Sequence, residues 1–213
     1  MATPVLYDYW RSSASYRVRI ALNLAGVEYT PVVVDLLSKA HKSPEHLKRN
    51  PQGLVPALEI DGLMLTQSLA IIEYVIETRG VSLLPDDAAG RARVRALADS
   101  IAMDIHPVCN MSVVAHLLEL TGGGDAVRSA WMQKWIGAGL EAFEKMLDHP
   151  DTGTFCHGDA PGLADICLIP QIYNAERWGA DISGLSRIQM IRQACDALPA
   201  FARAHPDRNN FKS

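Results

Sequence analysis

Residues 12 to 22 read Ser-Ser-Ala-Ser-Tyr-Arg-Val-Arg-Ile-Ala-Leu and follow a strand-like run from Val5 to Tyr9. Three hydroxyl side chains, Ser12, Ser13 and Ser15, therefore stand where a strand hands over to a helix. Apolar residues recur at Val18, Ala21, Leu22 and Ala25, which is helical spacing on one face. A helix start offers backbone N–H groups with no carbonyl to bond, at the positive end of the helix dipole. The chemistry this supports is stabilisation of an anion such as a thiolate or a phosphate. The rest of the chain favours a thiolate.

Other residues suit the recognition of a small polar ligand. Val55-Pro56 precedes a strand. A cis bond there would bend the chain and expose the Val55 N–H and C=O, whereas a trans proline at the first residue of a strand is the more ordinary reading. Gln67-Ser68 precedes a helix, with Ser68 as its expected N-cap and the Gln67 amide as a donor for a ligand carboxylate. Arg11, Arg17, Arg19 and Arg177 can each bind a carboxylate through the guanidinium fork, although surface solvation is the default for any one of them. His106-Pro107 interrupts a long helical pattern and marks either a kink beside a cleft or a satisfied core histidine. Residues 106 to 112 have no reading from spacing alone. Asp165, three residues after Gly162, is expected to bond the N–H groups of a helix start and to serve stability.

The elements that must position these residues alternate at first. Val5–Tyr9 reads as a strand, Ser15–Ala25 as a helix stopped by Gly26, and 30–34 as a second strand. Ser43-Pro44-Glu45 opens a helix, Asn50-Pro51-Gln52-Gly53 is a loop, and 57–60 and 63–66 form a hairpin around Asp61-Gly62. A helix from Leu69 to Thr78 follows. The order βαβ then ββα predicts one small mixed sheet. After Asp86 the strand signals vanish: 91–120, 129–148 and 163–178 read as helices, and 185–205 as one or two more, broken at Pro199. Residues 206–213 are polar and expected to be loose.

Composition sets bounds. The 213-residue chain is 48% hydrophobic and 21% charged with net charge −4, which argues against nucleic acid as a partner. The run Arg91, Arg93, Arg95 is expected to be a solvated helix face, no apolar stretch is read as a membrane span, and the N-terminus lacks a signal-peptide pattern. Four cysteines without CxxC spacing suit reduced thiols in a cytosolic protein, and seven histidines without i, i+4 pairing predict no metal site.

Taken in order, these features resemble the cytosolic glutathione transferases. Ser12-Ser13-Ala14-Ser15-Tyr16-Arg17-Val18-Arg19-Ile20 is similar to the zeta-class signature Ser-Ser-Cys-Ser-(aromatic)-Arg-Val-Arg-Ile. Asn50-Pro51, the stretch from Gln67-Ser68 to Tyr74, and Ile169-Pro170-Gln171 through Asn174-Ala175-Glu176-Arg177 also resemble zeta-class stretches, so the likeness covers nearly the whole chain. It implies an α/β thioredoxin-like N-terminal domain over 1–82 and an all-α C-terminal domain over 90–213. It implies glutathione as cofactor, a small dicarboxylate as substrate, a cytoplasmic location and a homodimer, with the region 67–77 near the interface.

The same resemblance implies residue roles. Ser12, with Ser13 as the alternative, would donate to the glutathione sulfur and lower its pKa, helped by the helix dipole. Ser15 would belong to the same cradle, Val55 would pair with the cysteinyl backbone, and Gln67 with Ser68 would hold the γ-glutamyl carboxylate. His41 stands where many relatives have Gln near the glycyl end, and His106 at a second glutathione-facing position. Asn110 to Ser112 would approach from the helical domain, and Arg11 and Arg177 would clamp substrate carboxylates.

The implied reaction is cis–trans isomerisation of maleylacetoacetate. The thiolate adds to the double bond, the resulting single bond rotates, and elimination releases fumarylacetoacetate, the charge passing meanwhile into the neighbouring keto group. Alternatives are maleylpyruvate isomerisation, glutathione transfer to α-haloacids, and a non-catalytic binding role on the same scaffold. Two departures bear on them. Ala14 replaces the signature cysteine, which counts against the reductive dehalogenation that one zeta-like branch performs through a protein thiol. Met111-Ser112 stands where maleylpyruvate isomerase has an arginine, which favours maleylacetoacetate.

Overall fold

The structure, a computed structural model, describes residues 2–210. The chain divides into two compact units, one formed by residues up to Ser82 together with those from Leu198 on, the other by Leu83–Ala197.

In the first unit, strands β1 (Val5–Asp8), β2 (Thr30–Val33), β3 (Ala57–Ile60) and β4 (Leu63–Thr66) form one sheet in the order β2-β1-β3-β4. β1 runs parallel to β2 and antiparallel to β3, and β3 and β4 are the hairpin. Asp61 and Gly62 have φ of 54° and 79°, the left-handed pair that a two-residue hairpin turn requires. Helix α1 (Ser13–Leu24) makes the parallel crossover and α3 (Ser68–Arg79) follows the hairpin. They bury Val18, Leu22, Ile71 and Val75 against Leu6, Leu58 and Ile60 of the sheet. The short helix α2 (Pro44–Arg49) starts as its sequence implies, with Pro44 at its first position and the Ser43 hydroxyl accepting the His46 N–H. A 3-10 turn at Ala40–Lys42 precedes it, without a signal in the sequence. The Val55–Pro56 peptide is cis.

The chain from Leu198 on does not belong with the helical domain, as sequence order suggested. Helix α10 (Pro199–Ala204) lies on α1, where Asn23 Nδ2 donates to the Ala200 carbonyl at 2.9 Å and Arg19 Nε to the Ala204 carbonyl at 3.0 Å. The Tyr16 ring meets the His205 ring edge-on at 6.1 Å. Covered by the sheet on one side and α10 on another, α1 buries even Arg17 and Arg19, at 1% and 0% exposure, so surface solvation fails for both. Pro206–Arg208 forms a 3-10 turn, and 211–213, part of the stretch expected to be loose, lie outside the described residues.

The second unit is helical throughout: α4 (Ala88–Asp99), α5 (His106–Val108), α6 (Met111–Thr121), α7 (Asp125–Met146), α8 (Leu163–Trp178) and α9 (Ser186–Asp196). The single helix expected over 91–120 is in fact divided into α4, a π-helical segment, α5 and α6. Ser100–Ile105 is π-helical, and α5 stops at Cys109, beyond which Asn110 caps α6. Pro107 carries no N–H, so the regular ladder cannot pass it, and a widened turn precedes it. Ala88–Thr121 is nonetheless, by length and composition, one stretch of 34 residues apolar enough to cross a membrane, against the expectation of none.

Helix α8 is apolar on nearly every face and forms the centre of this unit. Asp165 holds its start, accepting the Gly162 N–H at 2.8 Å and the Cys156 N–H at 2.9 Å. Arg93 is not a solvated side chain. It donates to the Cys156 carbonyl and to Thr152 Oγ1, tying α4 to the loop before α8, and burial lowers its pKa.

Candidate functional site

Ser12 is the N-cap of α1, with extended backbone (φ −68°, ψ 119°), and its Oγ accepts the Ser15 N–H at 3.2 Å. The oxygen is thus used as an acceptor, and this bond does not use the hydroxyl proton. Tyr16 N–H bonds the Ser12 carbonyl, and by position the N–H groups of Ser13 and Ala14 have no intrahelical carbonyl to reach. The Ser15 hydroxyl is fully buried without a partner, and Ser13 is 8% exposed. Ser12 therefore presents a hydroxyl donor at the positive end of a well-packed helix, a setting that stabilises a thiolate.

What fixes this cap is the turn before it. Ser12 N–H donates to the Tyr9 carbonyl at 2.9 Å, which closes a turn with Trp10 and Arg11 at its centre. The Trp10 carbonyl accepts Arg19 Nη2 at 2.9 Å, and Arg19 Nη1 donates to both Asp8 oxygens at 2.8 and 2.7 Å. A buried ion pair thus ties the end of β1, the turn and α1 together. Asp8 gave no functional signal in the sequence, and Arg19, a candidate for ligand recognition, is fully spent on this scaffold.

The remaining candidates of this unit lie on the two loops before β3 and α3. The Leu54 carbonyl accepts two buried donors, His46 Nε2 and Asn50 Nδ2, each at 2.9 Å, and this holds the backbone that leads into Val55. Ser68 is not the N-cap of α3. That position belongs to Gln67, whose φ of 68° is left-handed for a residue with a side chain and makes no side-chain cap. Such a conformation costs about 1–3 kcal/mol and persists only where its surroundings impose it. Here Ile71 N–H bonds the Gln67 carbonyl, the Gln67 amide donates to Gln52 Oε1 at 2.7 Å, and buried Ser68 accepts Arg17 Nη1 at 3.3 Å. His41 is half-buried in the 3-10 turn, with Nδ1 shielded and unpartnered, and burial lowers its pKa.

In the helical unit, half-buried His106 follows the π-helical segment, and Asn110 Oδ1 caps α6 by accepting the Ser112 N–H and hydroxyl, each at 3.2 Å. Arg177 is exposed near the end of α8, its guanidinium carbon 5.1 Å from the Trp178 ring centroid. Gln52, His46 and the reach of Arg17 escaped the sequence reading, because nothing in local spacing marks a partner that lies on another loop. No three His, Cys, Asp or Glu side chains group to hold a metal among the described residues.

A four-stranded βαβ–ββα sheet with a serine-capped first helix is the architecture of a glutathione transferase. Residues 3–77 match the family model for the glutathione S-transferase N-terminal domain. The maleylacetoacetate isomerase of Rhizobium meliloti (strain 1021) is 64% identical over 205 residues, 96% of each chain. A holo structure of maleyl pyruvate isomerase, described as a bacterial zeta-class glutathione S-transferase, is 42% identical with a TM-score of 0.95, covering 98% of this chain and 100% of that one. The maleylacetoacetate isomerase of Methylobacterium extorquens AM1, solved with bound malonate and GSH, is 42% identical with a TM-score of 0.93, covering 96% and 97%. The chain belongs to the zeta class of glutathione transferases.

Proposed function

We propose that this chain is a glutathione-dependent cis–trans isomerase that converts maleylacetoacetate to fumarylacetoacetate, a step of tyrosine breakdown. The observation that carries the reading is the near-full-length likeness to a maleylacetoacetate isomerase, joined to a serine-capped helix that accommodates a thiolate. The fit to glutathione rests on this chain's own atoms. Ser12 has a hydroxyl proton that its cap bond does not use, the α1 start has N–H groups without an intrahelical carbonyl, exposed Gln67 holds a left-handed backbone at the start of α3, and His41 has a ring nitrogen with no partner among the described residues.

Bound glutathione supplies the thiolate that adds reversibly to the cis double bond and leaves after rotation about the resulting single bond. Ser12 donates its hydroxyl to the sulfur and, with the dipole of α1, keeps it deprotonated at neutral pH. Val55 pairs with the peptide backbone of the cofactor, while Gln67 and Ser68 hold its γ-glutamyl carboxylate. Ser13 and Ser15 complete the cradle, and His41 serves the glycyl end. Arg11 and Arg177 bind substrate carboxylates, and His106, Asn110 and Ser112 are assigned ligand contacts on the strength of the resemblance. We extend the proposal to a homodimer, for which exposed Leu63 and Met64 on β4 offer apolar surface, and to a reducing cytoplasm, which four cysteines with no disulfide among the described residues suit.

The test compares maleylacetoacetate with maleylpyruvate at catalytic glutathione. A higher kcat/KM on maleylacetoacetate is expected, because Met111-Ser112 supplies no additional cation. A preference for maleylpyruvate would transfer the chain to that activity.

A further inference from the structure

Four arginines qualified as carboxylate receptors by residue type, and the structure separates three of them, Arg11, Arg17 and Arg19, by what they hold. Arg19 is neutralised by Asp8, and Arg17, wholly buried, donates through Nη1 to Ser68 Oγ. Arg11, one residue before the helix cap, makes no ion pair among the described residues. Its Nη2 donates to the Tyr9 hydroxyl at 2.9 Å, its guanidinium carbon lies 4.6 Å from the Trp10 ring centroid and 5.8 Å from that of Tyr9, and Nε is shielded without an acceptor. Asp35, an acid that feels the Arg11 charge, is engaged instead by the Leu37 and Ser38 N–H groups. Two aromatic residues therefore hold a cation with which no carboxylate among the described residues forms an ion pair. The turn that carries them, Tyr9 to Ser12, is the one closed by the Ser12 N–H and anchored through the Trp10 carbonyl by Arg19. Orientation of the guanidinium and placement of the Ser12 hydroxyl are thus set by one rigid turn.

We propose that Tyr9 and Trp10 are positioning residues that fix the Arg11 guanidinium beside Ser12 and so make the reaction selective for electrophiles bearing a carboxylate. The inference rests on the isomerase reading above. An aromatic face and a phenol oxygen hold the cation without discharging it, whereas an aspartate in either place would satisfy it and remove its use for a ligand. The stacked guanidinium also has fewer rotamers to lose when an anion binds.

The experiment uses the full chain and two probes, maleylacetone and its methyl ester, which differ in one charge. Parent, Trp10→Leu, Tyr9→Phe and Arg11→Leu are compared by the ratio of kcat/KM for acid over ester, alongside glutathione affinity. Trp10→Leu and Tyr9→Phe should each lower the ratio about threefold to tenfold, chiefly through KM for the acid, with ester turnover and glutathione binding near the parent's. Arg11→Leu should remove the preference altogether, and Trp10→Phe, which keeps a ring face, should retain most of it. Equal losses on acid and ester, or an unchanged ratio in both positioning variants, would overturn the proposal. Should Trp10→Leu not fold, Tyr9→Phe and Trp10→Phe still decide it. A parent that binds glutathione yet turns over neither probe would overturn the isomerase reading and this inference with it.

Discussion

The Arg19 guanidinium, wholly buried, grips both carboxylate oxygens of Asp8 at 2.8 and 2.7 Å and reaches on to the carbonyls of Trp10 and Ala204. Three of its nitrogens thereby join the end of β1, the turn before Ser12 and the last helix, α10. Removing the acid strands a buried cation. Asp8→Asn should cost about 3–5 kcal/mol of stability, read as a lower urea midpoint. The apolar pair Asp8→Leu with Arg19→Met should cost less than the single change, because no unpaired charge remains. A single variant as stable as the parent would contradict the anchoring role.

Ser12→Ala has two separable effects. Loss of the cap bond to Ser15 N–H should cost about 1 kcal/mol of stability. Loss of the donor to the sulfur should lower kcat about a hundredfold or more and raise the pH at which the bound thiol ionises, followed by thiolate absorbance. A variant of unchanged kcat would sink the assignment.

Gly139 allows α7 to close on the π-helical segment. A Cβ added there would lie 2.4 Å from Ile105 Cδ1 and Cγ1. Gly139→Ala should therefore destabilise by about 1–3 kcal/mol, in spite of alanine's better helix propensity. Shortening the obstructing side chain with Ile105→Val should recover part of the loss in thermal denaturation. A stabilised Gly139→Ala protein would refute the close approach.

His41 gives a pH signature. Burial, followed by the nearby charges of Lys42 and His46, lowers its pKa in the folded chain below the ordinary value of about 6.5. The unfolded chain then binds the proton more readily, so the stability this ring contributes is present above about pH 6.5 and fades as pH falls through the folded value. His41→Gln should flatten the stability profile between about pH 7 and 5. The change should be small, since the ring is partly exposed to solvent. A profile identical to the parent's would exclude the contribution.

Much of the scaffold was legible. The Asp61-Gly62 hairpin, the Pro44 helix start and the Gly162–Asp165 cap are local devices, written in adjacent residues. The failures share a cause, which is that their partners lie far along the chain. Nothing near Arg19 announces Asp8 and Ala204. Pro199 marks a break in the last helical stretch, yet nothing beside it shows that α10 returns to α1. The π-helical turn before Pro107 keeps the apolar spacing of a helix, so periodicity ran straight through it. At the site, the hydroxyl-rich helix start was readable, though the helix begins at Ser13 and not Ser15, with Ser12 as its cap, whereas Gln67 took the cap position from Ser68 through a left-handed backbone that residue type disfavours.

The measurement that bears most directly on the central claim is the loss of cis-enone absorbance of maleylacetone, with glutathione either absent or present at a small fraction of the substrate concentration. Rapid loss only with glutathione, carried to the trans isomer while the thiol concentration stays constant, is the predicted result. Stoichiometric consumption of glutathione, or no acceleration by a protein that binds it, would contradict the account.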